Sequence, residues 1–67
     1  MYKAKILKVF DNNTYLINIP ALNLQIDEVY AVVGKGLYPK YEIGDLVIAA
    51  ETEDEAWVIL GYVYGQV

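Results

Sequence analysis

The sequence predicts an all-β chain that closes into a small five-stranded antiparallel barrel. Three observations carry this. Alternation of apolar and polar residues at period two dominates, and no apolar stripe of helical period reaches a useful length. Short apolar runs rich in β-branched and aromatic residues recur at nearly regular spacing. Clusters of Gly, Pro, Asn and Asp separate those runs, as turns require. With 67 residues, no linker, no repeat and no low-complexity segment, the chain is one domain, 1–67.

The first strand is expected over YKAKILKVF, Tyr2 to Phe10. Ala4 and Ile6 share one face while Lys3 and Lys5 share the other. The phase then slips at Ile6-Leu7, placing Leu7 and Val9 on the lysine face. A one-residue slip turns the apolar set over, so a bulge or sharp bend is expected near Leu7. DNNT, Asp11 to Thr14, is a turn cluster, and YLINI, Tyr15 to Ile19, is the return arm of a hairpin. Pro20 ends the ladder because it cannot donate. ALNLQID, Ala21 to Asp27, is expected to be an extended or edge segment burying Leu22, Leu24 and Ile26 on one face, with a helix as the minority reading.

EVYAVVG, Glu28 to Gly34, is the third strand, closed by a Gly34-Lys35-Gly36 turn. LYPKYEIGD, Leu37 to Asp45, is irregular, with room for one short helical turn between Pro39 and Gly44. LVIAA, Leu46 to Ala50, is the fourth strand and ETEDE, Glu51 to Glu55, an acidic loop. AWVILGYVY, Ala56 to Tyr64, is the fifth strand. That strand does not alternate, so both of its faces need cover: one from the core, the other from a subunit.

Composition narrows the function. A domain of this size buries only about 60% of its unfolded surface, so it needs help from disulfides, a metal or partner subunits. There are no cysteines or histidines, while 57% of residues are hydrophobic and seven are tyrosines. Tyrosine buries a large body and keeps a polar handle, which suits interfaces. Self-association is therefore expected.

The chain carries nine acidic and five basic residues, net −4, without arginine. Arginine is the usual bidentate reader of phosphate and guanine, and nucleic-acid binders usually show a basic patch. Tyr30, Tyr38, Tyr41, Tyr62 and Tyr64 would offer bases a stacking platform, but Glu28, Glu42 and Asp45 lie among them. Single-stranded nucleic-acid binding is thus the alternative reading, not the leading one.

Catalysis lacks its usual groups. There is no His, Cys or Ser to act as base or nucleophile. Glu51, Glu53, Asp54 and Glu55 form a solvated loop, and a hard cation held by them is the minor reading because the spacing of an EF-hand is missing. Gly34-Lys35-Gly36 lacks the spacing and the following Ser/Thr of a phosphate loop. No enzyme activity, cofactor or metal is expected. Met1 is followed by charged alternation, and no apolar stretch reaches about 18 residues, so neither a leader nor a membrane span is expected.

The stretch YEIGDLVIAAETEDEAWVILGYVYG, Tyr41 to Gly65, resembles the second half of the oligonucleotide/oligosaccharide-binding (OB) barrel domains of phage tail hub, baseplate and spike proteins. It is similar also to those of the related type VI secretion spike. Gly44-Asp45-Leu46-Val47 resembles the family's GD-x-V entry to a strand. Trp57-Val58-Ile59-Leu60-Gly61-Tyr62-Val63-Tyr64 is similar to its outgoing strand, (P/W)-V-I-L-G-x-(V/L)-(Y/F). YLINIPALN is similar in outline to the first half.

The resemblance implies an OB-type barrel, with an SH3-like barrel as the alternative. It also implies a structural role in tail, baseplate or spike assembly, within the virion after synthesis in a host cytoplasm. The partners would be copies of itself, commonly as a trimer, and other tail or baseplate proteins. A β-helical needle, a cell-wall-cleaving domain and the metal residues of piercing tips are not matched by any part of the sequence. The expected contact residues are Trp57, Tyr62, Val63 and Tyr64, then Tyr38 and Tyr41. Gly44 and Asp45 should shape a turn, and Gly61 should permit a bulge or close approach.

Overall fold

A computed structural model describes residues 1–32 and 40–63. Five strands, β1 (Tyr2–Val9), β2 (Tyr15–Ile19), β3 (Leu24–Ala31), β4 (Leu46–Glu51) and β5 (Trp57–Tyr62), close into a barrel in the order β1-β2-β3-β5-β4. The architecture is consistent with a small OB or SH3-like barrel. Four seams are antiparallel, and the seam between β3 and β5 is parallel. The parallel seam follows from connectivity. The chain leaves β3 by a long crossover to β4, and the β4–β5 hairpin then returns β5 in the direction of β3.

Alternation places the core. Ala4, Ile6, Tyr15, Ile17, Ile19, Val29, Val47, Ala49 and Ile59 are buried together, with Ile26, Ala31, Tyr41 and Trp57 packed against them. The phase slip in β1 is a real bulge: the register with β2 shifts between Ile6 and Lys8, leaving Leu7 as the extra residue. Ile6 stays inside and the strand bends away, as barrel closure requires.

The β1–β2 turn is held by the Phe10 N–H donating to Thr14 O (2.9 Å) and the Asn13 N–H to Phe10 O (3.2 Å), with Asn13 at φ 63°. Thr14 is fully buried, and its hydroxyl donates to Asn12 Oδ1 at 2.6 Å. That bond satisfies a polar group that would otherwise be costly to bury.

The segment after Pro20 departs from the expected extended run. Pro20–Leu22 forms a 3-10 turn, and the Asn23 N–H donates back to Pro20 O at 3.1 Å. Proline presets the φ of the first turn position, and Asn23 takes the left-handed conformation (φ 50°) that asparagine tolerates. Leu22 and Leu24 are consequently exposed, and only Ile26 of the expected trio packs against the core. Among the described residues, a short helical turn thus sits at Pro20. The expected Gly34–Gly36 turn, and residues 37–39 of the irregular stretch, lie outside the described residues.

β3 begins at Leu24 and runs through what the sequence divided into two segments. Glu28 interrupts it at φ 54°, where the register with β2 shifts between Tyr15↔Val29 and Ile17↔Ile26. The bulge explains the division: it breaks the alternation without breaking the strand.

Candidate functional site

The fifth strand is apolar on both sides for a reason visible in its register. Ala49 pairs with Ile59 and both point inward, whereas Ile48 pairs with Gly61. β5 therefore has one extra residue, Leu60, and its alternation changes phase there. Trp57 and Ile59 face the core, Gly61 falls in the outer row, and Leu60 is 41% exposed.

Residues opposite one another across a sheet share a face. Tyr30, Val58 and Ala50 form one outer row across β3, β5 and β4. Ile48 lies in the next row, beside Lys3 of β1, and Leu46 pairs with Lys5 one step further on. Tyr30 is 62% exposed, while Leu46, Ile48, Ala50 and Val58 are half-buried. The outer wall of β3, β5 and β4 is thus a continuous apolar face. Its β1 flank is basic, with Lys3 and Lys5 exposed. Its end at the β4–β5 tip is acidic: Glu28 on β3 and Glu53, Asp54 and Glu55 in the tip are all exposed.

That tip is a built turn. The Thr52 N–H donates to Ala56 O at 2.7 Å, and the Glu55 N–H to Thr52 O at 3.1 Å. The Thr52 hydroxyl accepts the Ala56 N–H at 3.2 Å and donates to the Asp54 carboxylate. The bond from Thr52 is the main reason the Asp54 carboxyl titrates below its ordinary range.

A second feature is an open cleft of about 390 Å³ lined by Lys40, Tyr41, Glu42, Asp45 and Tyr62. Tyr41 stands on Tyr15 in an edge-to-face contact, 5.5 Å between centroids. Burial, with the nearby Tyr15 and Asp45 adding to it, pushes the Tyr41 phenol above its usual pKa. The floor of the cleft is a turn in which the Glu42 N–H donates to Asp45 Oδ2 at 2.8 Å and the Asp45 N–H to Glu42 O at 3.0 Å. Gly44 sits in this turn at φ 95°, and its N–H donates to Ile6 O at 2.8 Å, tying the turn to β1. The cleft offers two phenols, an ammonium and two carboxylates. Among the described residues no group of three or more His, Cys, Asp or Glu is placed to hold a metal ion, and no helix is long and apolar enough to cross a membrane.

No known protein family, curated protein or solved structure matches the chain.

The structure separates the residues that the sequence grouped as contact candidates. Trp57 packs against the core and tilts onto Tyr2, 6.0 Å between centroids, and Tyr41 also packs inward. Tyr62 is 54% exposed at the cleft, and Val63 is half-buried with its N–H on Leu46 O at 2.9 Å. Tyr38 and Tyr64 lie outside the described residues. A Cβ at Gly61 would meet nothing within 4 Å, so no close approach requires glycine there. Ile48, Val58 and Leu60 were not singled out, and Tyr30 only as a base-stacking candidate. The available signal was LVIAA, an apolar run that, like β5, fails to alternate.

Proposed function

We propose that this chain is a structural assembly protein that works by self-association and protein–protein contact, without chemistry of its own. The observation that carries the reading is the apolar outer wall of β3, β5 and β4. Large contiguous apolar patches on small soluble domains mark interaction sites. Covering one supplies stability at about 25 cal/mol per Å², which a core of this size needs. The likeness of Gly44–Val47 and Trp57–Tyr64 to tail, baseplate and spike barrels favours a phage tail or baseplate as the setting, with tail proteins as further partners. Sedimentation equilibrium tests the reading: a concentration-dependent oligomer is expected, and a monomer at all concentrations up to about 1 mM would overturn it. Recovery of the chain in purified virions, in fixed ratio to tail proteins, tests the setting.

Single-stranded nucleic-acid binding is the weaker reading on a specific ground. Barrels of this kind grip polynucleotide with the loops after β1 and β4. Here the loop after β4 carries Glu53, Asp54 and Glu55, all exposed, which repel phosphate.

A further inference from the structure

We infer that the self-association runs through one surface: the outer wall of β3, β5 and β4 meets the same wall of a second copy across a two-fold axis, with Lys3 and Lys5 of each copy set against the acidic end of the other. The inference rests on the self-association reading and adds to it an occupant, a geometry and a charge code.

The charge pattern carries it. The wall is apolar over Ile48, Val58, Leu60 and Tyr30, basic on its β1 flank, and acidic at the end formed by Glu28 and the β4–β5 tip. A two-fold contact is self-complementary, so where the lysines of one copy meet the carboxylates of the other, the reverse contact follows. A two-fold axis that lies in the contact and runs between the two charged regions sets the basic flank of one copy against Glu28 and the acidic tip of the other. Each copy has net charge −4, so two copies repel unless their contact joins unlike charges. Lys3 and Lys5 are suited to this because neither has an ion-pair partner among the described residues. A purely acidic partner would be repelled by Glu28, Glu53, Asp54 and Glu55, and a purely basic one by Lys3 and Lys5. A second copy answers both ends at once.

The test uses the full chain and four variants, each first checked for native Trp57 fluorescence and cooperative unfolding. Light scattering of the wild type is expected to give a dimer. Leu60→Asp and Tyr30→Asp, at exposed positions, are each expected to weaken it by at least about tenfold. The reversals Lys3→Glu with Lys5→Glu, and Glu28→Lys with Glu53→Lys, are each expected to weaken self-pairing by about tenfold. Mixed in equal amounts, the two reversed proteins are expected to regain wild-type affinity, because every flank then faces an opposite charge. A folded Leu60→Asp protein that still dimerises overturns the assignment of this wall while leaving self-association standing. A trimer, or a mixture that stays monomeric, overturns the two-fold charge pairing in the same way. A monomeric wild type removes the self-association reading itself.

Discussion

Ile48 of β4 lies directly opposite Gly61 of β5, while the next residue, Ala49, lies opposite Ile59; Leu60 is skipped. This one-residue offset decides what the chain shows its surroundings. Without it, the alternation set by Trp57 and Ile59 would continue and Gly61 would point inward. With it, Leu60 stays on the outside, Gly61 joins it there opposite Ile48, and Tyr62 falls opposite the buried Val47. Deleting Leu60 should restore regular alternation, remove apolar surface and abolish self-association, read by sedimentation against the wild type.

Gly44 and Gly61 should respond oppositely to alanine. Gly44 holds φ 95°, where a Cβ clashes with its own backbone, so Gly44→Ala should cost about 1–2 kcal/mol. Gly61 has an ordinary φ and open space at its Cβ position, so Gly61→Ala should leave stability within about 0.5 kcal/mol. Urea unfolding midpoints of the two variants check the contrast.

Ile17 is fully buried at the centre of β2, and Leu24 stands exposed beyond the Pro20 turn. Ile17→Ala should lose about 2–5 kcal/mol, a large part of the stability of a small domain. Leu24→Ala should lose far less, although both replace a branched aliphatic on a strand. Thermal or urea denaturation separates the two.

The Tyr41 phenol resists ionisation because its ring is partly buried and Tyr15 and Asp45 lie nearby. Its folded pKa is raised, so the unfolded chain releases this proton first as pH climbs. The folded state is then disfavoured from about pH 10, the unfolded value, upward. Tyr41→Phe should flatten that alkaline fall relative to the wild type while changing little at neutral pH. Urea titrations at pH 8 and pH 11 on both proteins measure the difference.

Asp54 behaves with the opposite sign. The bond from the Thr52 hydroxyl lowers its folded pKa, so its contribution is present above the unfolded value and is lost as pH falls through the folded one. Carboxyl NMR titration should place Asp54 below the ordinary aspartate range, and Thr52→Ala should move it back up.

Much of the fold was legible because strands alternate. Ala4 and Ile6 against Lys3 and Lys5 gave β1 its inward face, and the break at Leu7 is the bulge itself. Other features were hidden by local backbone geometry. Leu22 and Leu24 continue the apolar alternation, yet the left-handed Asn23 and the turn at Pro20 rotate them outward. Thr14 reads as one more polar turn residue, but the neighbouring Asn12 side chain allows its burial. The candidate surface was half legible. An apolar β5 demanded cover on two sides, but which residues faced outward depended on Leu60, and a bulge inside a uniformly apolar run leaves no break in pattern.

Among the described residues the ring has one thin joint. Along β3 and β5 the paired residues are Tyr30 with Val58 and Ala31 with Ile59, extended by the Val32 N–H on Ile59 O at 2.8 Å. The antiparallel ladders elsewhere are longer. This joint also brings together strands that are not neighbours in the chain, so a loop must close before it forms. A hoop parts where it is thinnest. In native-state hydrogen exchange the amides along this joint should therefore trade deuterium ahead of those between β1 and β2, and a barrel caught open there would present two raw edges to any neighbouring strand.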